Sequence, residues 1–198
     1  MFRLISLLQT GGWMIIPILL ASIITLALIF ECLWLIGKAR KRFEAALMNP
    51  RAAHHLAAGD RADAALSVLR FRYSQPQASA EDMRSYAELA FGELERKVSW
   101  LQTIAAIAPL LGLLGTVSGM IANFEMVAST HPTNPLAQLS AGISEALVST
   151  AGGLIVALVA AIGFHWLSNR LESLMTKALS VSADPLGKGA QEEVSFGS

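Results

Sequence analysis

The sequence predicts an all-α membrane protein: three transmembrane helices and a helical cytoplasmic domain, with a periplasmic N-terminus and a cytoplasmic C-terminus. Three observations carry this. Of the 198 residues 54% are hydrophobic and only 15% charged, with a mean hydropathy of +0.51, whereas soluble domains run to about a quarter charged residues. Three apolar runs are long enough to cross a hydrocarbon core of about 30 Å at about 1.5 Å per helical residue. Lys and Arg gather on one side of a three-span chain, the side that faces the cytoplasm.

Residues 1–12 read as a short periplasmic amphipathic segment. Phe2, Leu4, Ile5, Leu7 and Leu8 can lie along the membrane surface, and Gly11-Gly12 lets the chain turn inward. The first span is 13–37, interrupted only by Glu31. A cleaved signal peptide is the alternative, but a signal peptide has a shorter apolar stretch and a small-residue cleavage site. Here Lys38, Arg40, Lys41 and Arg42 follow instead. Pro17 falls in the first turns, where a missing N–H is best tolerated.

Residues 38–99 form the expected cytoplasmic domain. The helix of span one continues as a stalk to Met48, and Asn49-Pro50 ends it and starts a short helix over 50–58. Gly59 and Asp60 are read as a stop and an N-cap for a helix over 61–72. His54 and His55 read as a polar helix face rather than a pH sensor. After the polar turn at 74–80, a long helix starts at Ser79 or Ala80, with Glu81 and Asp82 favourably placed in its first turn. Met83, Tyr86, Ala87, Ala90, Leu94 and Val98 recur at helical spacing. No breaker separates Glu81 from Ala108, so this helix is expected to run directly into span two, residues 100–124.

Span two has no charged residue. A loop over 125–142 without Lys or Arg leads to span three, 143–167, whose only ionisable side chains are Glu145 and His165. Residues 168–198 form a cytoplasmic tail, expected to lack order from Ser180 on because no apolar period is left. The charge pattern agrees at every flank. Besides the four cations after span one, Arg96 and Lys97 precede span two, Arg170 and Lys177 follow span three, and only Arg3 falls on the opposite side.

Composition also excludes functions. Fifteen basic and fifteen acidic residues balance, so no nucleic-acid partner is implied. Four His and one Cys are too scattered for a metal site, and Cys32 alone cannot form an internal disulfide. Neither a nucleophile–base pair nor a phosphate loop occurs, so neither enzymatic activity nor a cofactor is expected.

The informative residues lie in spans two and three. Ala105, Ala108, Gly112, Gly115 and Gly119 form one stripe, with Gly115 and Gly119 a GxxxG pair. Small residues let membrane helices pack closely; they also make a smooth wall past which another helix can move. Pro109 removes one backbone hydrogen bond from this span. Thr116 and Ser118 in span two, and Ser144, Ser149 and Thr150 in span three, supply hydroxyls. One such hydroxyl is uninformative, since it can bond its own i−4 carbonyl; several beside a carboxylate point to a polar lumen. Glu145 can accept protons, attract cations, fix a helix through hydrogen bonds, or sit at the membrane surface near the loop. A carboxylate in a span usually faces a cavity or partner, and burial favours its neutral form. Ser149 lies one turn along the same face. Thr150 lies about 140° round the helix from Glu145, so the two require different surroundings. Glu31 and His165 read as interfacial residues, Glu31 reaching headgroups or the basic residues around Lys38.

Two strings resemble a known family. APLLGLLGTVSGM (108–120) is similar to the span-two signature of the MotA/TolQ/ExbB proton-channel family, and GISEALVSTAGGL (142–154) to its span-three signature. Order and spacing agree, and the first span and the region around Gly59-Asp60 are similar too. One departure is Cys32, which follows Glu31 where many relatives carry Glu-Arg. The resemblance implies a pore or proton-pathway role for Thr116, Glu145 and Thr150; by spacing Ser149 joins them, and Ala108, Gly112, Gly115 and Gly119 are read as helix-packing residues. It further implies a homo-oligomer, a pentamer, in the bacterial inner membrane. A single-span ExbD/TolR-like partner would stand in its pore and carry the proton on an Asp, and a TonB-like protein would receive the work. The ExbB branch fits better than TolQ, and four-span MotA proteins are longer. A membrane scaffold without conduction is the reading of another class.

Overall fold

The computed structural model describes residues 15–48, 63–75, 77–130 and 133–183. The amphipathic segment 1–12, the helix expected over 50–58 with its two histidines, and Gly59-Asp60 lie outside them. The described residues form four helices and no strand: α1 (Ile15–Met48), α2 (Ala64–Ser74), α3 (Ala80–Thr130) and α4 (Pro135–Ala183). Of these, α1, α3 and α4 are long and apolar enough to cross a membrane. The chain is a multi-pass membrane protein, all-helical among the described residues.

The helix ends follow from local chemistry. α3 opens with a reciprocal capping box. The Asp82 N–H donates to Ser79 Oγ at 3.1 Å, while Asp82 Oδ2 accepts from the Ser79 N–H at 3.0 Å and from its hydroxyl at 2.8 Å. From there α3 runs unbroken for 51 residues through Pro109, the continuous entry into span two expected from the absence of breakers.

Three expectations are corrected. The helix read over 61–72 begins only at Ala64: Asp63 is non-helical and occupies the N-cap without a side-chain capping bond. Its carboxylate is turned to Arg42 Nη1, 2.6 Å away, so ion pairing displaces capping. The loop read over 125–142 is much shorter, because α3 persists to Thr130 and α4 starts at Pro135. Ser129 and Thr130 donate to the Met126 carbonyl, and Asn134 Oδ1 accepts the Ala137 N–H at 3.1 Å. An Asn cap followed by proline in the first helical position is a strong start signal. Finally, α4 continues past Ser180 to Ala183. Leu167, Leu171, Leu174, Ala178 and Ser182 are all buried, a stripe that carries the helix beyond the expected end of order.

Two compact units emerge. The first comprises the described residues of 1–30 and 98–166, the second those of 31–97 and 167–198. In the second, α1 buries Cys32, Ile36, Ala39, Phe43 and Ala46, spaced four and three apart. α3 buries Met83, Ala87, Phe91 and Leu94 in the same rhythm. Phe71 of α2 stacks on Tyr86 of α3 with ring centroids 4.1 Å apart. The Glu31 carboxylate accepts from Lys97 Nζ at 2.5 Å, and the Lys38 ammonium lies over the Trp34 ring. The Glu31 carboxylate raises the Lys97 pKa above its ordinary value by hydrogen bonding to the ammonium.

A polar seam between α3 and α4

In the first unit α3 and α4 run antiparallel in close contact. Their register can be read from the glycines. A Cβ added at Gly153 would meet the Ala108 carbonyl at 2.5 Å and Gly112 Cα at 3.0 Å; one at Gly112 would meet Thr150 Cα at 3.0 Å. Further along, Gly119 faces Ala146 at 3.5 Å, and Gly142 lies against the Asn123 side chain. The predicted stripe on α3 therefore packs against a second small-residue stripe on α4, which sequence reading did not single out. Gly142, Ala146, Ser149 and Gly153 recur at four, three and four residues, the signal that would have found it. α1 runs parallel to α4, with Ile18 against Gly152 and Ile29 against Gly163. Ile18, Ala108 and Val156 join the three helices in a small apolar core.

The hydroxyls fall on and beside this seam. Thr150 Oγ1 donates to the Gly112 carbonyl at 3.0 Å, a bond between helices at their closest approach. Thr116 is 9% exposed and donates to the Leu113 carbonyl of its own helix at 2.7 Å. Ser118 bonds the Gly115 carbonyl in the same way, at 3.3 Å. Ser149 is 2% exposed, and its hydroxyl has no hydrogen-bond partner. Ser144 is exposed. Asn123 is a polar seam residue absent from the sequence reading; its amide donates to the Gly119 carbonyl at 2.7 Å.

Glu145 lies on the backbone of α4, but its side chain is outside the described set. By register it stands on one flank of the row Gly142–Ala146–Ser149–Gly153 and Thr150 on the other, at about 100° per residue. Of the predicted pathway residues, the structure thus brings Ser149 and Thr150 onto the α3 contact, opposite the stretch of α3 that holds Thr116. Of the predicted packing residues, Ala108, Gly112 and Gly115 are buried and Gly119 half-buried. His165 is exposed, edge-on to Phe164 at 5.3 Å.

Chemically, the seam is a line of hydroxyls in apolar surroundings. A hydroxyl both donates and accepts, so it can connect waters on either side of it. It cannot hold a full charge; only a carboxylate among these side chains can store the proton. Around the seam, Leu110, Leu113, Leu114, Val117 and Ile121 of α3, with Leu154, Ile155 and Leu158 of α4, present exposed apolar surface suited to lipid or other helices.

Comparison with known proteins agrees with the two strings read from the sequence. The MotA/TolQ/ExbB proton channel family matches residues 51–179. The chain is 34% identical over 180 residues to the putative biopolymer transport protein ExbB-like 1 of Synechocystis, a match covering 82% of this chain and 70% of that protein. It is 32% identical over 192 residues to the biopolymer transport protein ExbB of Salmonella typhimurium, covering 86% and 78%. The Tol-Pal system protein TolQ of Haemophilus influenzae matches at 38% over 81 residues, 41% of this chain and 35% of that protein. With a family match over most of its length and a three-span helical fold, this chain belongs to the MotA/TolQ/ExbB proton channel family.

Proposed function

We propose that the chain is the ExbB-like channel subunit of an inner-membrane complex that uses the proton motive force to drive outer-membrane import. In this reading, five copies surround the single span of an ExbD/TolR-like partner, and a TonB-like protein transmits the work. The N-terminus and the α3–α4 turn face the periplasm, and the α2 region and the C-terminus face the cytoplasm of a Gram-negative cell. Thr116, Ser149, Thr150 and Glu145 form the proton path, and Ala108, Gly112, Gly115 and Gly119 hold the helices together. The observation that carries the reading is the set of hydroxyls gathered on the α3–α4 seam within the family's two signature strings. The ExbB reading is favoured over TolQ by extent of similarity: the Salmonella ExbB match covers 86% of this chain and the Haemophilus TolQ match 41%.

A non-conducting scaffold is the second reading. It draws on the Thr150–Gly112 bond, which commits one of the pathway hydroxyls to helix packing. Proton uptake separates the two. Liposomes holding the chain together with its single-span partner should acidify when a potential is applied, and liposomes holding either protein alone should not. No uptake from the assembled complex favours the scaffold.

A further inference from the structure

Tryptophan is on average a well-buried side chain, yet all three tryptophans among the described residues are exposed: Trp34 65%, Trp100 59% and Trp166 44%. Each closes an exposed apolar ridge and is followed by a cation. On α1 the ridge is Ile23, Leu26, Phe30, Trp34 and Lys38, spaced three, four, four and four apart. α4 repeats this spacing with Ile155, Leu158, Ile162, Trp166 and Arg170. α3 runs the other way and reads Arg96, Trp100, Ile107, Leu110 and Leu114, spaced four, seven, three and four apart. Steps of three and four keep side chains on one helix face, and every apolar member of the three ridges is exposed.

The polar ends of the ridges have a set order. The Lys38 ammonium lies 5.0 Å from the centroid of the Trp34 ring, a cation–π contact that holds the charge beside the indole. Glu31, three residues before Trp34, has its charge compensated by Lys97. In the first unit Ile29 and Leu101 both approach Gly163, where a Cβ would meet them at 2.7 and 3.8 Å. Counted outward from that level along their own helices, Trp100, Trp166 and Trp34 lie about 2, 5 and 8 Å away, and the cation of each about 6 Å further. Apolar side chains, indole and cation thus succeed one another over a depth comparable to the headgroup layer, about 5–8 Å on each side of the hydrocarbon. An indole suits the ester level, with an apolar body and one N–H donor. A Lys or Arg suits the phosphate, to which it makes charge-assisted hydrogen bonds.

We propose that the three ridges are phospholipid-binding sites. Each takes an acyl chain along its apolar residues, the glycerol esters at its indole and the phosphate at its cation: Trp34 with Lys38, Trp100 with Arg96, and Trp166 with Arg170. The repetition argues for lipid as the occupant. Three separate helices show the same succession of polarity at the same end of their spans, as one leaflet requires, whereas a protein partner would impose it on the helix it touches. The inference needs only that the chain crosses a membrane and is independent of proton conduction.

The test is phosphorus–nitrogen dipolar dephasing by solid-state NMR on the full chain in phosphatidylethanolamine–phosphatidylglycerol bilayers. Arg40 is the internal control: it stands about 200° round α1 from Lys38 and donates to Glu44. Lipid phosphorus should dephase the side-chain nitrogens of Lys38, Arg96 and Arg170 several-fold more strongly than those of Arg40. Dephasing as strong at Arg40 overturns the sites in favour of a diffuse basic surface. No dephasing at the three cations also overturns them, and is the result expected if a second copy of the chain covers the ridges. A second measurement counts phospholipids retained per subunit by native mass spectrometry. The full chain carrying both Trp34→Leu and Lys38→Gln should retain fewer than wild type, and Arg40→Gln should retain as many. An unchanged count in the double variant, or an equal loss in Arg40→Gln, overturns the α1 site. The dephasing arm uses the wild-type chain, so it stands even if the double variant does not assemble.

Discussion

The Thr150 hydroxyl donates to the Gly112 carbonyl at 3.0 Å, where α3 and α4 approach too closely for a side chain at Gly112 or Gly153. Gly153, one turn beyond Thr150, has the Ala108 carbonyl 2.5 Å from where a Cβ would stand, and backbone cannot yield as a flexible side chain does. Gly153→Ala should therefore destabilise the assembled spans by about 1–3 kcal/mol, the usual range for overpacking. Gly119→Ala meets only Ala146 at an ordinary 3.5 Å and should be neutral or mildly stabilising. Unfolding of the two variants by denaturing detergent compares them directly; equal losses at both positions would contradict the register.

Thr150→Val removes the bond between helices and keeps the shape. Hydrogen bonds between membrane helices average about 0.6 kcal/mol, so the stability loss should be small, and Thr150→Ser should restore it. Detergent unfolding reads the stability, and proton uptake in parallel shows whether the hydroxyl has a second task. A conduction loss in Thr150→Val far larger than the stability loss assigns it one.

In the second unit, Asp63 is nearly fully buried and Arg42 about one-third exposed, with 2.6 Å between them. Removing one partner of a buried pair leaves a charge without compensation, at a cost of about 3–5 kcal/mol; access of water to Arg42 places this case at the lower end. Arg42→Met should lower stability by about 3 kcal/mol and release α2, seen as accelerated hydrogen exchange across residues 64–74. Unchanged exchange there would show that the ion pair does not hold α2.

The capping box gives a pH dependence. The Ser79 hydroxyl, and next its backbone N–H, hold the Asp82 carboxyl below its ordinary value of 3.8. A depressed acid stabilises the folded state wherever it is ionised. The contribution is therefore complete above 3.8 and is lost as pH falls below it, through the lower folded-state value. The carboxyl carbon of Asp82 should titrate below 3.8 by NMR, and Ser79→Ala should move the midpoint back toward it.

Much of the fold was legible because membrane helices announce themselves by length and charge. The unbroken run after Ser79 marked α3 as one rod. The errors came where a local signal was outweighed or overlooked. Asp63 looked like part of a helix, but its carboxylate serves Arg42, a partner 21 residues away. Asn134-Pro135 is as clear a start signal as any in the chain, yet the polar composition around it read as loop. Glu31 finds Lys97 at a separation of 66 residues, which no local pattern encodes. The seam itself was half legible: the α3 stripe was visible by spacing, while its partner row on α4 was hidden among hydroxyls read for chemistry rather than size. That the Ser149 hydroxyl, among the described buried side chains, lacks a bond could not be read at all, since it depends on side-chain placement.

In the proposed function the hydroxyls and carboxylate of the seam carry protons rather than only packing helices. Proton uptake by liposomes that hold the chain with its single-span partner tests this most directly, with wild type, Thr116→Val and Glu145→Ala compared at equal assembly. Both substitutions should abolish uptake while the oligomer stays intact; uptake at the wild-type rate in both variants would contradict a proton-carrying role for these residues.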